Sequence, residues 1–309
     1  MVALQAEFAG SSVHSAAAEE RVIEVLCASD ERFLPHAATM LCSLLEHNPI
    51  IRIHFFHGSI PRSELLKLEA LAANYGCEKI VFYDVRQANF EDLRVDKWAS
   101  IAVYYRLLAP RLLPDTIEKV LYLDSDLIVR KSLAPLWNTD IADRPLAAVP
   151  DYIGGTAGRD LGLPDGTKYF NSGVLLMNLQ YWRRNSIAEQ AISFIRHNPD
   201  KVQYWDQDAL NANLANQWVE LPTQWNWQDF DARGQDQEPA IVHFVSWDKP
   251  WQWSNKHPYK EEYHKYRLKT PWREYRQEGR PSPVRIVARA VLPARVRQWI
   301  RSRLAQFKA

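Results

Sequence analysis

The 309-residue chain has only three cysteines, Cys27, Cys42 and Cys77, and no two of them stand at a C-x-x-C spacing. A disulfide framework is therefore not expected, nor a cysteine metal site, and the low count fits a reduced, cytosolic compartment. No apolar run approaches the roughly 18 residues that a membrane-crossing helix needs. The first 20 residues lack both a secretion-signal pattern and any periodicity, so residues 1–20 read as a flexible leader. Internal repeats and low-complexity tracts are also missing.

Net charge is nearly absent, at +1, but this balance hides an asymmetry. From His264 onward there are 13 Lys/Arg against 2 Asp/Glu, a balance of +11. From totals of 38 basic and 37 acidic residues, that leaves 25 and 35 in residues 1–263, a balance of −10. An acidic body with a basic tail implies that the tail meets something anionic. With 47% hydrophobic residues the body can bury a large core.

The segments RVIEVLCAS (21–29), IRIHFFHG (51–58) and KIVFYDV (79–85) read as strands, separated by helical patterns that end at Pro49 and Gly76. This β-α-β-α-β order implies an α/β fold with a mainly parallel twisted sheet flanked by helices. Residues 104–114 read as a helix, 144–152 and 169–179 as strands, 188–198 and 206–216 as helices, and 239–246 as a last buried strand. Pro and aromatic residues crowd 247–272, where a break is expected. The stretch KVLYLDSDLIV (119–129) reads as one apolar strand interrupted by Asp124 and Asp126.

Burying two like charges demands compensation. On a strand, residues i and i+2 share a side, so the two carboxylates would present oxygens to one point. Such hard donors suit Mn²⁺ or Mg²⁺, usually completed by substrate phosphates. An ordinary aspartate turn is the bland alternative. A calcium-binding EF-hand loop fails, because Ile128 and Val129 occupy positions that need an acid and a glycine. A haloacid-dehalogenase-like phosphatase also places D-x-D after a strand, but Ile128 departs from its pattern and its downstream G-D-x-x-x-D is missing.

Four blocks in order carry a more specific resemblance. VLYLDSDLIVRKSLAPLWNTDI, YFNSGVLLMNLQYWR, WDQDALN and HFVSWDKPW resemble family 8 glycosyltransferases, retaining enzymes of GT-A fold, and above all bacterial lipopolysaccharide α-galactosyl- and α-glucosyltransferases. The resemblance implies a catalytic domain over 21–255 that moves a hexose from a UDP-sugar to a saccharide or lipid-linked acceptor. It implies Asp124, Asp126 and His243 as ligands of Mn²⁺ or Mg²⁺. Ala28, Asp30, Phe33, Ser125, Ser246 and Lys249 would bind the nucleotide, and Arg106, Asp151, Asn171, Asp206 and Gln207 the donor sugar. Simpler roles compete: a cap or turn for Asp30, Asn171 and Asp206, core for Phe33, a helix partner for Arg106, a hydrogen-bonded core histidine for His243, a solvated loop for Lys249.

At the anomeric carbon Asp206, Gln207 and Asp208 are the candidate catalytic residues. Asp208 would serve a double displacement, whereas Gln207, at the family position nearest the carbon, is a poor nucleophile and suits front-side return. Two positions depart from the family: Arg32 stands for Asn, and Ser246 for a glycine beside the phosphates. A non-catalytic sugar-nucleotide-binding protein would have lost one of Asp124, Asp126, His243 or Gln207, and all are present. Tryptophans 225, 227, 247, 251 and 253 divide between core and an acceptor wall. Residues 256–309 form a basic aromatic region, read as a helix lying on an anionic membrane; the alternative is packing on the acidic body. Nucleic acid is not expected, since no binding motif accompanies the charge. The expected place is the bacterial cytoplasm, at the inner face of the cytoplasmic membrane.

Overall fold

Alternate residues of the apolar runs go to opposite faces of a seven-stranded sheet, and both faces are covered. In a computed structural model, which describes residues 22–88, 90, 92–95, 100–151, 161–228, 238–245, 247–275 and 277–279, the sheet order is β3-β2-β1-β4-β7-β6-β8. The strands are β1 (Ile23–Ser29), β2 (Ile51–His57), β3 (Lys79–Asp84), β4 (Lys119–Leu123), β6 (Leu146–Pro150), β7 (Phe170–Asn178) and β8 (Val219–Glu220). β1 is parallel to β2 and β4, and β2 to β3; β6 is parallel to β8. β7 alone runs antiparallel, inserted between β4 and β6. A small second sheet pairs β5 (Leu127–Val129) with β9 (Ile241–His243), antiparallel.

Val25, Cys27, Leu121, Leu123, Val174 and Leu176 pack on one side with helix α1 (Leu34–His47) and α2 (Arg62–Asn74). Leu26, Val120, Tyr122, Leu175 and Met177 point to the other side. There they meet a 3₁₀ helix (Ile101–Leu108) continuing into α3 (Ala109–Leu112), and α5 (Leu179–Arg184), α6 (Ile187–His197) and α7 (Trp205–Leu214), whereas the short α4 (Ala134–Trp137) packs on the α1 side through Leu136 and Trp137. Burial on both faces explains why the strands read as continuous hydrophobic runs.

Three local readings are corrected. The stretch 119–129 is not one strand. It breaks at Asp124–Asp126, where β4 ends and the chain crosses into the second sheet as β5. The two aspartates therefore sit in the connection rather than on a strand, as their turn preference favours. Residues 104–114 are not one helix either, because Pro110 has no N–H to continue the ladder and the 3₁₀ segment precedes it. The buried strand expected over 239–246 is confined to Ile241–His243.

Helix α8 (Lys260–Arg267) lies against α1, with Tyr263 and Tyr266 in the same core. His36 Nδ1 and Tyr263 Oη are 2.6 Å apart, and the His36 ring stacks on Trp251 at 3.6 Å. Residues 247–272 thus fold onto the body where a break was expected. Among the described residues no helix is long and apolar enough to cross a membrane. The leader, the tail from residue 280 and Ser246 lie outside the described residues.

Candidate active site

Topology delivers the polar residues to one edge. Asp30, Asp124 and Asp151 each follow the C-terminal end of a parallel strand, the edge where open α/β sheets bind ligands. Antiparallel β7 begins at that same edge, so Asn171, Ser172 and Gly173 join them; the Asp124 amide donates to the Gly173 carbonyl at 2.9 Å. β9 delivers His243 across from Leu127, just past Asp126. Helix α7 brings Asp206 and Gln207 in its first turn, locked to β7 by Asn211, whose side chain bonds both the Phe170 amide and carbonyl. Its first residue, Trp205, holds a left-handed φ of 50°, a strained conformation at the rim of the cleft.

These elements enclose a cleft of about 390 Å³. Ala28, Phe33, Arg106, Asp124, Ser125, Asp126, Asp151, Asn171, Asp206, Gln207, His243 and Lys249, all candidates from the sequence, line it together. Tyr122, Ser172, Tyr204, Trp205 and Trp247 line it too, and sequence reasoning gave none of these first four a role. Of the late tryptophans, 225, 227 and 251 are buried, while Trp247 is 53% exposed at the cleft. Two candidates lie elsewhere. Asp30 lines a neighbouring cavity with Arg32 and Tyr105, and its Oδ1 accepts from the Phe33 amide at 2.9 Å, closing the turn ahead of α1, whose cap residue is Phe33 and not Asp30. Asp208 is buried outside the cleft lining: Tyr169 donates to its Oδ1 at 2.7 Å, and the amides of Gln203 and Tyr204 donate to Oδ2 at 2.6 Å. These bonds give Asp208 a packing and capping role in place of the nucleophile's.

Asp124, Asp126 and His243 each offer one ligand atom, all within 4.8 Å of one another. His243 Nε2 is 3.2 Å from Asp126 Oδ1 and 3.9 Å from Asp124 Oδ2. Two carboxylate oxygens and an imidazole suit a divalent cation of moderate hardness. The backbone leaves room for the cluster, because a Cβ on Gly173 would stand 2.2 Å from His243 Cε1 and 2.8 Å from Asp124 Oδ2. The donor set and the cleared space fit a metal.

Charge is compensated around this cluster. Burial opposes ionisation of Asp126, but Lys249 and His243 outweigh it and hold the carboxyl well below the usual range. Lys249 Nζ donates to Asp126 Oδ2 and to the Phe244 carbonyl, both at 2.6 Å. Arg106 is buried, stacks over Tyr122 at 4.0 Å and donates to Asp124 Oδ1 at 2.9 Å and to the Ser172 carbonyl. Burial works against its charge, yet Asp124 and Asp206 raise its affinity for the proton. Its Nε lies 3.0 Å from Asp206 Oδ2, an ion contact whose angle leaves that oxygen without a hydrogen bond. Burial pushes Asp206 up to about 7, with Arg106 pulling the other way.

Gln207 is held through every polar atom. Its Oε1 accepts from the Ser172 amide at 2.9 Å, and its Nε2 donates to Asp151 Oδ2 at 2.8 Å and Tyr169 Oη at 3.1 Å. The amide oxygen is thereby fixed in identity and direction. Asn226, which no sequence argument singled out, accepts from His243 Nδ1 at 2.9 Å. The only signal for it was an amide between two tryptophans, QWNWQ.

The sequence profile described as Glycosyl transferase family 8 matches residues 24–254. The chain belongs to glycosyl transferase family 8. This family member is 32% identical over 275 residues to general stress protein A of Bacillus subtilis (strain 168), covering 82% of this chain and 96% of that one. It is 27% identical over 263 residues to the lipopolysaccharide 1,3-galactosyltransferase of Salmonella typhimurium, covering 79% and 77%. Some relatives are much longer: the match to the probable glycosyl transferase Gly of Streptococcus gordonii, 31% identical, spans 34% of that protein. Among solved structures, the galactosyltransferase LgtC, in complex with donor and acceptor sugar analogs, superposes with a TM-score of 0.74 at 27% identity, covering 82% of this chain and 99% of that one. The GT-A expectation holds, and the family match sets the phosphatase alternative aside.

Proposed function

We propose that this family 8 glycosyltransferase moves a hexose, galactose or glucose, from a UDP-sugar to a saccharide acceptor of the lipopolysaccharide or lipid-linked class, with retention and with Mn²⁺ or Mg²⁺. The observation that carries this reading is the convergence of Asp124, Asp126 and His243 within 4.8 Å, inside a cleft that also holds Lys249, Arg106 and Gln207. The likeness to galactosyltransferases supports the hexose and the acceptor class.

Asp124, Asp126 and His243 would hold the cation, which when bound supplies Lewis-acid stabilisation of a departing diphosphate. Lys249 adds a fixed positive charge beside Asp126, positioned to take up diphosphate charge as the glycosidic bond breaks. Phe33 offers a half-buried ring face for the base, and Ser125, tied to the Ala28 carbonyl at 3.0 Å, fixes the wall next to it. Arg106, Asp151, Asn171 and Asp206 orient sugar hydroxyls; Asp206 Oδ2, buried and without a hydrogen bond, is an acceptor waiting for one. Gln207 directs its amide oxygen by three hydrogen bonds, and with Asp208 committed to packing the front-side route is favoured over double displacement.

Trp247 would stack on the acceptor sugar at the cleft mouth. The basic tail would hold the enzyme at the anionic inner face of a bacterial cytoplasmic membrane, where a lipid-linked acceptor resides. The test is UDP release from a panel of UDP-hexoses with Mn²⁺, with an EDTA control. Metal-dependent hydrolysis of UDP-galactose or UDP-glucose is expected. Absence of turnover with every donor and acceptor would instead favour the non-catalytic binding protein.

A further inference from the structure

Gly173 donates its backbone N–H to Asn171 Oδ1 at 2.9 Å, and a backbone amide has no alternative orientation. That bond fixes which end of the Asn171 amide is oxygen. The same Oδ1 accepts from Asn226 Nδ2 at 2.9 Å, so the Asn226 amide is fixed in turn, its oxygen directed to His243 Nδ1 at 2.9 Å. An amide oxygen only accepts, so Nδ1 must carry hydrogen. In neutral His243 the lone pair then lies on Nε2, the atom that faces Asp126 Oδ1 and Asp124 Oδ2. All three members are buried, Asn226 at 1%, His243 at 4% and Asn171 at 6% exposure, so water does not compete for these bonds.

We infer that Asn226 is a positioning residue: it reads the Gly173 amide through Asn171 and sets the tautomer and ring angle of His243 for a divalent cation. The inference rests on the metal-dependent reading above and deepens it. Outer-shell partners of a histidine ligand typically contribute 10–100-fold in metal affinity. The relay also joins two functions of the cleft, because Asn171 Nδ2 reaches Asp151 Oδ2 at 3.4 Å, and Asp151 holds Gln207. The sugar-side residues and the histidine ligand therefore share one buried amide.

Two substitutions separate positioning from packing. Asn226→Leu removes the acceptor on Nδ1, whereas Asn226→Asp keeps an oxygen there; both lose the donor to Asn171. Mn²⁺ binding to the full chain, followed by electron paramagnetic resonance without nucleotide, should weaken about 10–100-fold in Asn226→Leu and stay close to wild type in Asn226→Asp. Equal weakening in both, tracking an equal loss of Tm, would assign Asn226 to packing and overturn the proposal. A second readout needs no variant of Asn226: ring ¹⁵N shifts of His243 in the metal-free protein at neutral pH, assigned with His243→Gln, should report hydrogen on Nδ1, and hydrogen on Nε2 alone would overturn it. Wild-type protein that binds no Mn²⁺ would bring down the metal-dependent reading and this one together. Wild-type binding with unchanged binding in Asn226→Leu would sink only this one.

Discussion

Gly173→Ala is the smallest change that should disable the site. A Cβ at residue 173 would meet His243 Cε1 at 2.2 Å, and His243 Nδ1 and Asp124 Oδ2 at 2.8 Å. Ordinary contact begins near 3.4 Å, so the imidazole must retreat by about 1.2 Å or β7 must move. The imidazole is boxed in, at 4% exposure and bonded to Asn226. Overpacking of this kind costs roughly 1–3 kcal/mol. For a domain of this size that is a fall in Tm of about 2–12 °C. The effect on metal should be larger, since ligand distances tolerate only about ±0.2 Å. We expect Mn²⁺ affinity, measured by calorimetry, to fall at least about 100-fold while circular dichroism keeps its native form. Alanine at 173 with wild-type Mn²⁺ affinity would refute the geometry of the cluster.

Further outcomes follow from buried groups outside the metal cluster. Asp208→Ala strands the Tyr169 hydroxyl and two backbone amides and should destabilise the fold by about 3 kcal/mol; activity per folded molecule should fall less than in Gln207→Ala, and the reverse order would restore Asp208 as nucleophile. Burial lowers His36 to about 3, against an opposing pull from Asp126, and lowers His264 to about 4. Both are depressed bases, so the unfolded chain binds the extra protons: stability is full above pH 6.5 and is lost as pH falls below it. For His36 alone the loss at pH 5 is about 2 kcal/mol, a fall in Tm of roughly 4–8 °C. A Tm that is flat from pH 7 to 5 would contradict the burial of these rings.

The parallel half of the sheet was legible because β1 and β2 are buried on both faces, the edge strand β3 keeps the same apolar run, and the three are separated by helical patterns with clear stops at Pro49 and Gly76. The four motif blocks likewise located most of the cleft. What stayed hidden depended on pairing. Nothing in FNSGVLLMN distinguishes an antiparallel strand from a parallel one, since either would be apolar throughout. The break at Asp124–Asp126 looked like an interrupted strand because β5 resumes the apolar pattern at once. Asp208 shares its neighbours' chemistry, and only the direction of the α7 turn sends it to Tyr169 instead of the cleft. Asn226 acquires its role from Asn171, 55 residues away, a distance no local pattern spans.

Calorimetric titration of the metal-free protein with UDP, with and without Mn²⁺, tests most directly whether Asp124, Asp126 and His243 hold a cation for a nucleoside diphosphate. UDP should bind only when Mn²⁺ is present, and Asp126→Ala should abolish that dependence together with the binding. UDP binding of equal strength with and without Mn²⁺, unaffected by Asp126→Ala, would contradict the account.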